Sequence, residues 1–177
     1  MRPTAIVGAW AAALLTAGLL VTPAAAAQDT GGRQTQAGAA AVTKLSHADA
    51  SARFKAAGIA WRSSGNCSDR NRSTCTSFSR LNLNSALGAI TLKKAGGCAL
   101  TVTGGTETGH ASGTYSHWNG YKLDFDPTSC LTHYITGTFT RIADRSDGAA
   151  QYKAASGNIY ARESNHWDVT FHTCGGC

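Results

Sequence analysis

Two short polar clusters in the C-terminal half of the chain carry residue types and spacings that can do chemistry. The first is Ser116-His117-Trp118-Asn119-Gly120-Tyr121-Lys122-Leu123-Asp124-Phe125, and the second is Glu163-Ser164-Asn165-His166-Trp167. A catalytic zinc takes three nitrogen or oxygen ligands in a tetrahedral arrangement and leaves its fourth position to water. A carboxylate outside the ligand set then takes that water's proton. His117, Asp124 and His166 can be the ligands and Glu163 the base. A lone histidine in a β-rich domain is ordinarily a hydrogen-bonded structural group, so the conjunction of four residues carries the reading.

For these residues to meet, the second cluster must fold as a tight unit. In His166-Trp167-Asp168-Val169-Thr170-Phe171-His172 polar and apolar residues alternate throughout. That pattern predicts a strand with Trp167, Val169 and Phe171 in the core and its other face lining something polar. Pairing with a strand over 158–163 through the turn Ser164-Asn165 makes Glu163 and His166 directly opposed neighbours. Asp168 and His172 share the face of His166. Asp168 is a candidate to orient a liganding imidazole, and a solvent-facing carboxylate is the alternative.

The preceding half predicts two helices. Ser46 followed by Asp49 is a variant of the capping box opening a helix that runs to Ile59, with Leu45, Phe54, Ala57 and Ile59 inward. A second helix is expected from Phe78 to Ala95, with Leu81, Leu87, Ile90 and Leu92 inward, stopped by Gly96-Gly97. Between them, 61–76 reads as a loop stapled by cysteines. Further short strands are expected at 99–103, 121–125 and 138–142. Helices followed by strands give an α+β domain on a mostly antiparallel sheet.

The chain opens with Met1-Arg2, an apolar run from Ala5 to Val21, and a small-residue stretch to Ala27 that offers Ala-x-Ala sites. This is the pattern of a secretory signal peptide over 1–27. Residues 28–44 have almost no large apolar side chain and read as a flexible leader, with one domain over 45–177. All six cysteines, at 67, 75, 98, 130, 174 and 177, lie in that domain. An even number in an exported chain favours disulfides, and locality pairs 67 with 75, 98 with 130 and 174 with 177. The formal charge of +6 draws an exported protein to polyanions such as cell walls, acidic peptides or nucleic acid, without choosing among them.

At His117, Gly120 and Asp124, and again at Glu163, His166 and Trp167, the sequence resembles the zinc metallopeptidases of bacterial cell-wall peptides. These are the D-Ala-D-Ala carboxypeptidases and dipeptidases and the L-alanyl-D-glutamate endopeptidases. Their hallmark is His, two residues, Gly, three residues, Asp, then a distant Glu-x-x-His often followed by an aromatic. The resemblance implies a DD-peptidase/hedgehog-like fold, a Zn2+ cofactor and a peptidase of peptidoglycan stem peptides; the signal peptide makes it a secreted one, and a monomer is expected. It implies neither a nucleic-acid partner nor a membrane one once the signal is removed. Three positions depart from the family. Glu107 stands where an arginine is usual, Lys122 replaces a small residue, and Tyr115 takes the place of a serine. Arg141, Arg145, Arg162 or Lys122 can supply the missing positive charge, and His110 and Tyr115 are further candidates to meet substrate. Two other functions share these residue types, a basic secreted ribonuclease and a non-catalytic wall-binding module.

Overall fold

A computed structural model describes residues 42–175. Signal peptide and leader therefore lie almost wholly outside the described residues. The leader's last residue, Lys44, is already in a strand, opposite Asn82. In chain order the elements are β1 Lys44–Leu45, α1 His47–Ala56, β2 Ala60–Trp61, β3 Leu81–Asn82, α2 Leu83–Gly96, β4 Thr101–Gly104, β5 Lys122–Phe125, α3 Ser129–Thr138, β6 Thr140–Ile142, β7 Ala150–Lys153, β8 Ile159–Arg162 and β9 Trp167–Thr170. Seven strands form one sheet in the order β2-β4-β5-β9-β8-β7-β6, and β1 and β3 form a separate pair. Only β2 and β4 run parallel, so the α+β class with a mostly antiparallel sheet holds.

Local chemistry explains the helix ends. Ser46 Oγ accepts from the Asp49 amide at 3.1 Å and donates to the Asp49 carboxylate at 2.6 Å, which starts α1. The second helix begins five residues later than Phe78. Arg80 adopts a left-handed φ of 66°, and Leu81 and Asn82 are taken up by pairing with Leu45 and Lys44. Its buried face matches the expected one in part: Leu92 is in the core and Ile90 packs against it, and Leu81 is buried just ahead of the helix. Ser85, Ala86, Gly88, Ala89 and Leu92 are buried while Leu87 and Ile90 are half-buried, so small residues bring the helix close to Phe171.

The third helix, α3, forms where the sequence pattern predicts no element. Thr128 caps it by accepting from the Leu131 amide at 3.2 Å, and Leu131 and Ile135 bury one turn apart. Trp167, Val169 and Phe171 are fully buried as the alternation requires. Trp167 Nε1 finds an acceptor in Thr132 Oγ1 at 3.1 Å, so its one polar atom is satisfied inside the core.

Two disulfides close as locality suggests, Cys67–Cys75 across the first loop and Cys98–Cys130 between the end of α2 and α3. They fit an oxidising environment. The remaining expected pair includes Cys177, which lies outside the described residues. Among those residues no helix is long and apolar enough to cross a membrane.

Candidate metal centre

The hairpin forms in the expected register. Arg162 faces Trp167 across it, and the Glu163 amide donates to His166 O at 3.0 Å. Glu163 and His166 therefore stand together at its mouth, with Glu163 Oε2 3.3 Å from His166 Nε2. Strand β9 also pairs with β5, which sets Asp124 directly opposite Asp168. Side chains two apart on a strand share a face, so Lys122, Asp124, His166 and Asp168 all project from one side of the sheet.

His117 arrives from the turn before β5. The Gly120 amide donates to His117 O at 2.7 Å, and Gly120 has a φ of 76°. A side chain there would strike the Arg80 carbonyl, which gives the glycine of the His-x-x-Gly spacing its physical reason. On the other side of β5, a Cβ at Gly104 would collide with Asp124 Oδ2. The absence of a side chain at 104 is what lets the Asp124 carboxylate lie in the site.

Three imidazoles surround that carboxylate. His117 Nε2 lies 3.2 Å and His166 Nε2 3.5 Å from Asp124 Oδ1, and His110 Nδ1 lies 3.8 Å from Asp124 Oδ2. Each ring has its other nitrogen on an oxygen: His117 Nδ1 on Gly105 O at 2.6 Å, His166 Nδ1 on Asn165 Oδ1 at 2.7 Å, and His110 Nε2 on Glu107 Oε1 at 3.3 Å. An outer hydrogen bond of this kind fixes the tautomer that leaves the inner nitrogen with a lone pair.

The donors fit a metal ion. Asp124 Oδ1 and Asp168 Oδ1 are buried and accept no hydrogen bond. A tetrahedral centre with bonds of about 2.0–2.1 Å places neighbouring donors about 3.3–3.4 Å apart. The two contacts to Asp124 Oδ1 bracket that edge. Donor atoms of His110, His117 and Asp124 all lie within 4.8 Å of one another, and this cluster can hold a metal ion. His110, expected to meet substrate, belongs to this cluster, while His166, expected as a ligand, is not one of its three members although its Nε2 lies 3.5 Å from Asp124 Oδ1.

Burial alone would strip His117 of its proton, but the negative charges of Asp124 and Asp168 outweigh it and raise its pKa above the ordinary imidazole value. For Asp124, burial is opposed by the neighbouring histidines, and the carboxyl is held below its usual range.

A cleft of about 510 Å³ runs past the cluster and is lined by His110, His117, Asp124, Glu163 and His166 together with Arg145. Arg145 enters from the β6–β7 loop. Its guanidinium donates to Asp168 Oδ2 at 2.8 Å, to Asp147 Oδ2 at 2.6 Å, and to Glu163 Oε1. Those acceptors raise its pKa, the Asp147 bond foremost. Lys122 also reaches Asp168 Oδ2, at 2.7 Å. Of the four candidate cations, Arg145 and Lys122 line this cleft.

Two expectations change. Asp168 does not hydrogen-bond an imidazole, since its nearest ring atom, His117 Nε2, is 3.9 Å away; instead it gathers Lys122 and Arg145. Tyr115 is 51% exposed and packs edge-on against Tyr121 and His172, away from the cleft. Glu107 is buried and accepts from the Ser77 and Gly105 amides.

No protein-family model, curated protein or solved structure matches the chain.

Proposed function

We propose that this is a secreted zinc-dependent peptidase acting on the stem peptides of bacterial peptidoglycan, with His117, Asp124 and His166 as metal ligands and Glu163 as the base. The observation that supports it most is the meeting of both sequence clusters in one cleft, with Glu163 beside His166 and the unpartnered Asp124 oxygen in front of both histidines. Two histidines and a carboxylate suit zinc among the common ions. The apolar N-terminal run and the two disulfides support export.

A bound zinc supplies an acidified water and polarises a substrate carbonyl. The chain supplies the rest. Glu163 Oε2 takes the proton and returns it to the departing amine, a base-then-acid role that needs hydrogen-bond reach to both. Arg145 holds the other Glu163 oxygen and turns the carboxylate toward the histidines. Its guanidinium also lines the cleft beside Lys122, and the family that the sequence resembles uses an arginine there to meet charge on the substrate.

The test is mass analysis of muropeptides digested by the purified mature protein, with chelator and then with added zinc. Peptide cleavage that stops with chelator and returns with zinc supports the proposal. Intact peptides alongside chelator-resistant cleavage of RNA would replace it with the ribonuclease reading.

A further inference from the structure

We propose that the turn carrying His117 is also a docking surface for a phosphate-bearing polymer of the cell wall, with Lys44, Arg70 and Arg80 meeting its charge and the exposed rings of Trp118 and Tyr115 meeting its carbon skeleton. The choice of a wall polymer rests on the reading of a secreted peptidoglycan peptidase, and the surface itself makes no use of a metal.

Three cations reach this turn from distant parts of the chain. Arg70 donates to the Trp118 carbonyl and lays its guanidinium over the Trp118 ring, with Cζ 3.4 Å from the ring centroid. Lys44 Nζ donates to the next carbonyl, that of Asn119, at 2.5 Å and stands 5.7 Å from the centre of the Tyr121 ring. Arg80 is brought alongside by the pairing of β1 with β3. Its amide donates to Leu45 O at 2.8 Å, and its own carbonyl lies against Gly120. None of the three pairs with a carboxylate among the described residues, whereas Arg62, Lys122, Arg141 and Arg145 all do. Arg70 Nε is buried and donates to nothing. Burial, then the charges of Arg80 and Arg70, lower the pKa of Lys44, and burial followed by Arg80 lowers that of Arg70. Like charges gathered without a counter-charge repel, and an anion among them removes that repulsion.

Apolar surface is exposed at the same place. Of the four large hydrophobic residues exposed among the described residues, Trp118 at 45% and Tyr115 at 51% belong to this segment. Tyr115 packs edge-on against Tyr121, the ring that Lys44 faces. A cavity of about 230 Å³ is lined by both Trp118 and His110, and His110 also lines the cleft of the metal centre. Planar guanidinium groups match phosphate oxygens, and an indole offers a broad apolar face to a sugar or polyol. A repeating polymer meets several cations at once, where one small anion does not. Anchored here, it holds the protein on the wall beside the stem peptides that enter the cleft.

The experiment is binding of the purified mature protein to poly(glycerol phosphate) over a series of salt concentrations, with chelator present so that no metal contributes. Affinity should fall as salt rises. Arg80→Gly removes one charge at a left-handed φ of 66°, which glycine adopts without strain, so the fold is kept. It and Arg70→Ala are each expected to weaken binding about fivefold at low salt. Trp118→Ala should cause a loss that added salt does not erase. Lys94→Ala removes an equal charge about 17 Å along α2 from Leu83 and should leave binding unchanged. Binding that is equal in wild type, Arg80→Gly and Arg70→Ala, or that falls as far in Lys94→Ala, overturns the proposal. Tighter binding of single-stranded RNA at matched charge assigns the surface to nucleic acid and overturns it too. A protein that binds the polymer through these residues but cuts no muropeptide upholds the docking surface and contradicts the peptidase.

Discussion

Asp124 and Asp168 sit directly opposite one another on adjacent strands, and Oδ1 of each is buried without a hydrogen bond. Like charges so placed repel, and buried unpaired oxygens are costly. Lys122 and Arg145 relieve this from one side by taking Asp168 Oδ2. A cation at Asp124 relieves it from the other. Zinc loading is therefore expected to raise the melting temperature, by about 4 kcal/mol of stability at a thousandfold excess over Kd. For a domain of this size that is on the order of 10 °C. Calorimetry with and without zinc checks it.

The gain should grow with pH. The raised pKa of His117 contributes stability that is complete below its ordinary value of 6.5 and is lost as pH rises through the folded value. The lowered pKa of Asp124 contributes stability that is present above 3.8 and is lost as pH falls through its folded value. The metal-free protein thus draws most from this pair between those limits. Zinc needs His117 without its proton, so zinc affinity should fall about tenfold per pH unit below the folded His117 pKa. Zinc titrations over a pH series measure this, and a flat profile contradicts it.

Arg145 spans three carboxylates, and its partner Asp147 is held at a pKa of about 2 by the hydrogen bond from Arg145. Arg145→Ala is expected to keep zinc and lose about 10²-fold in turnover. Arg145→Lys should recover only part of this, since an ammonium lacks the planar fork. Metal analysis beside kcat separates this outcome from collapse of the centre.

Two glycines provide a matched pair. Gly104→Ala pushes a methyl into the Asp124 carboxylate and should cost about 1–3 kcal/mol and weaken zinc binding. At Gly137, an exposed position in α3, a Cβ meets nothing within 4 Å. Gly137→Ala should leave zinc binding unchanged and stabilise the fold by about 0.5–1 kcal/mol. Denaturant melts and zinc titrations read both.

The disulfides differ in reach, spanning 32 residues in Cys98–Cys130 and 8 in Cys67–Cys75. Loop-closure entropy gives losses of about 3.7 and about 2.5 kcal/mol when each is removed. Denaturant unfolding of the two paired Cys→Ser variants should rank them in that order.

The hairpin was legible because its signal is local. Strict alternation from His166 and a two-residue turn fixed both its register and the meeting of Glu163 with His166. The convergence of His117 and Asp124 on it was legible only through the spacing of the resemblance, since β5 and β9 are joined by long-range pairing. The Glu107–His110 pair had no local signal, because Glu107 is fixed by Ser77, thirty residues away. Arg145 sits in a loop with no periodicity, so its selection awaited the fold. Helix α3 carries no clear helical signal because Thr132, Tyr134, Ile135 and Thr136 favour strands, and the packing of Leu131 and Ile135 overrides that preference. Asp168 was open between two roles because alternation gives the face of a residue and not its partner.

Asp124 is proposed to help hold a metal on which Glu163 acts without binding it. The most direct test is zinc content of the purified mature protein, of Asp124→Ala and of Glu163→Gln, each assayed on muropeptides. One zinc per chain is expected in the wild type and in Glu163→Gln, with turnover in the latter down by about 10²–10⁴-fold, and zinc is expected to be lost in Asp124→Ala. A wild-type chain that remains zinc-free, or equal zinc loss in both variants, contradicts the account.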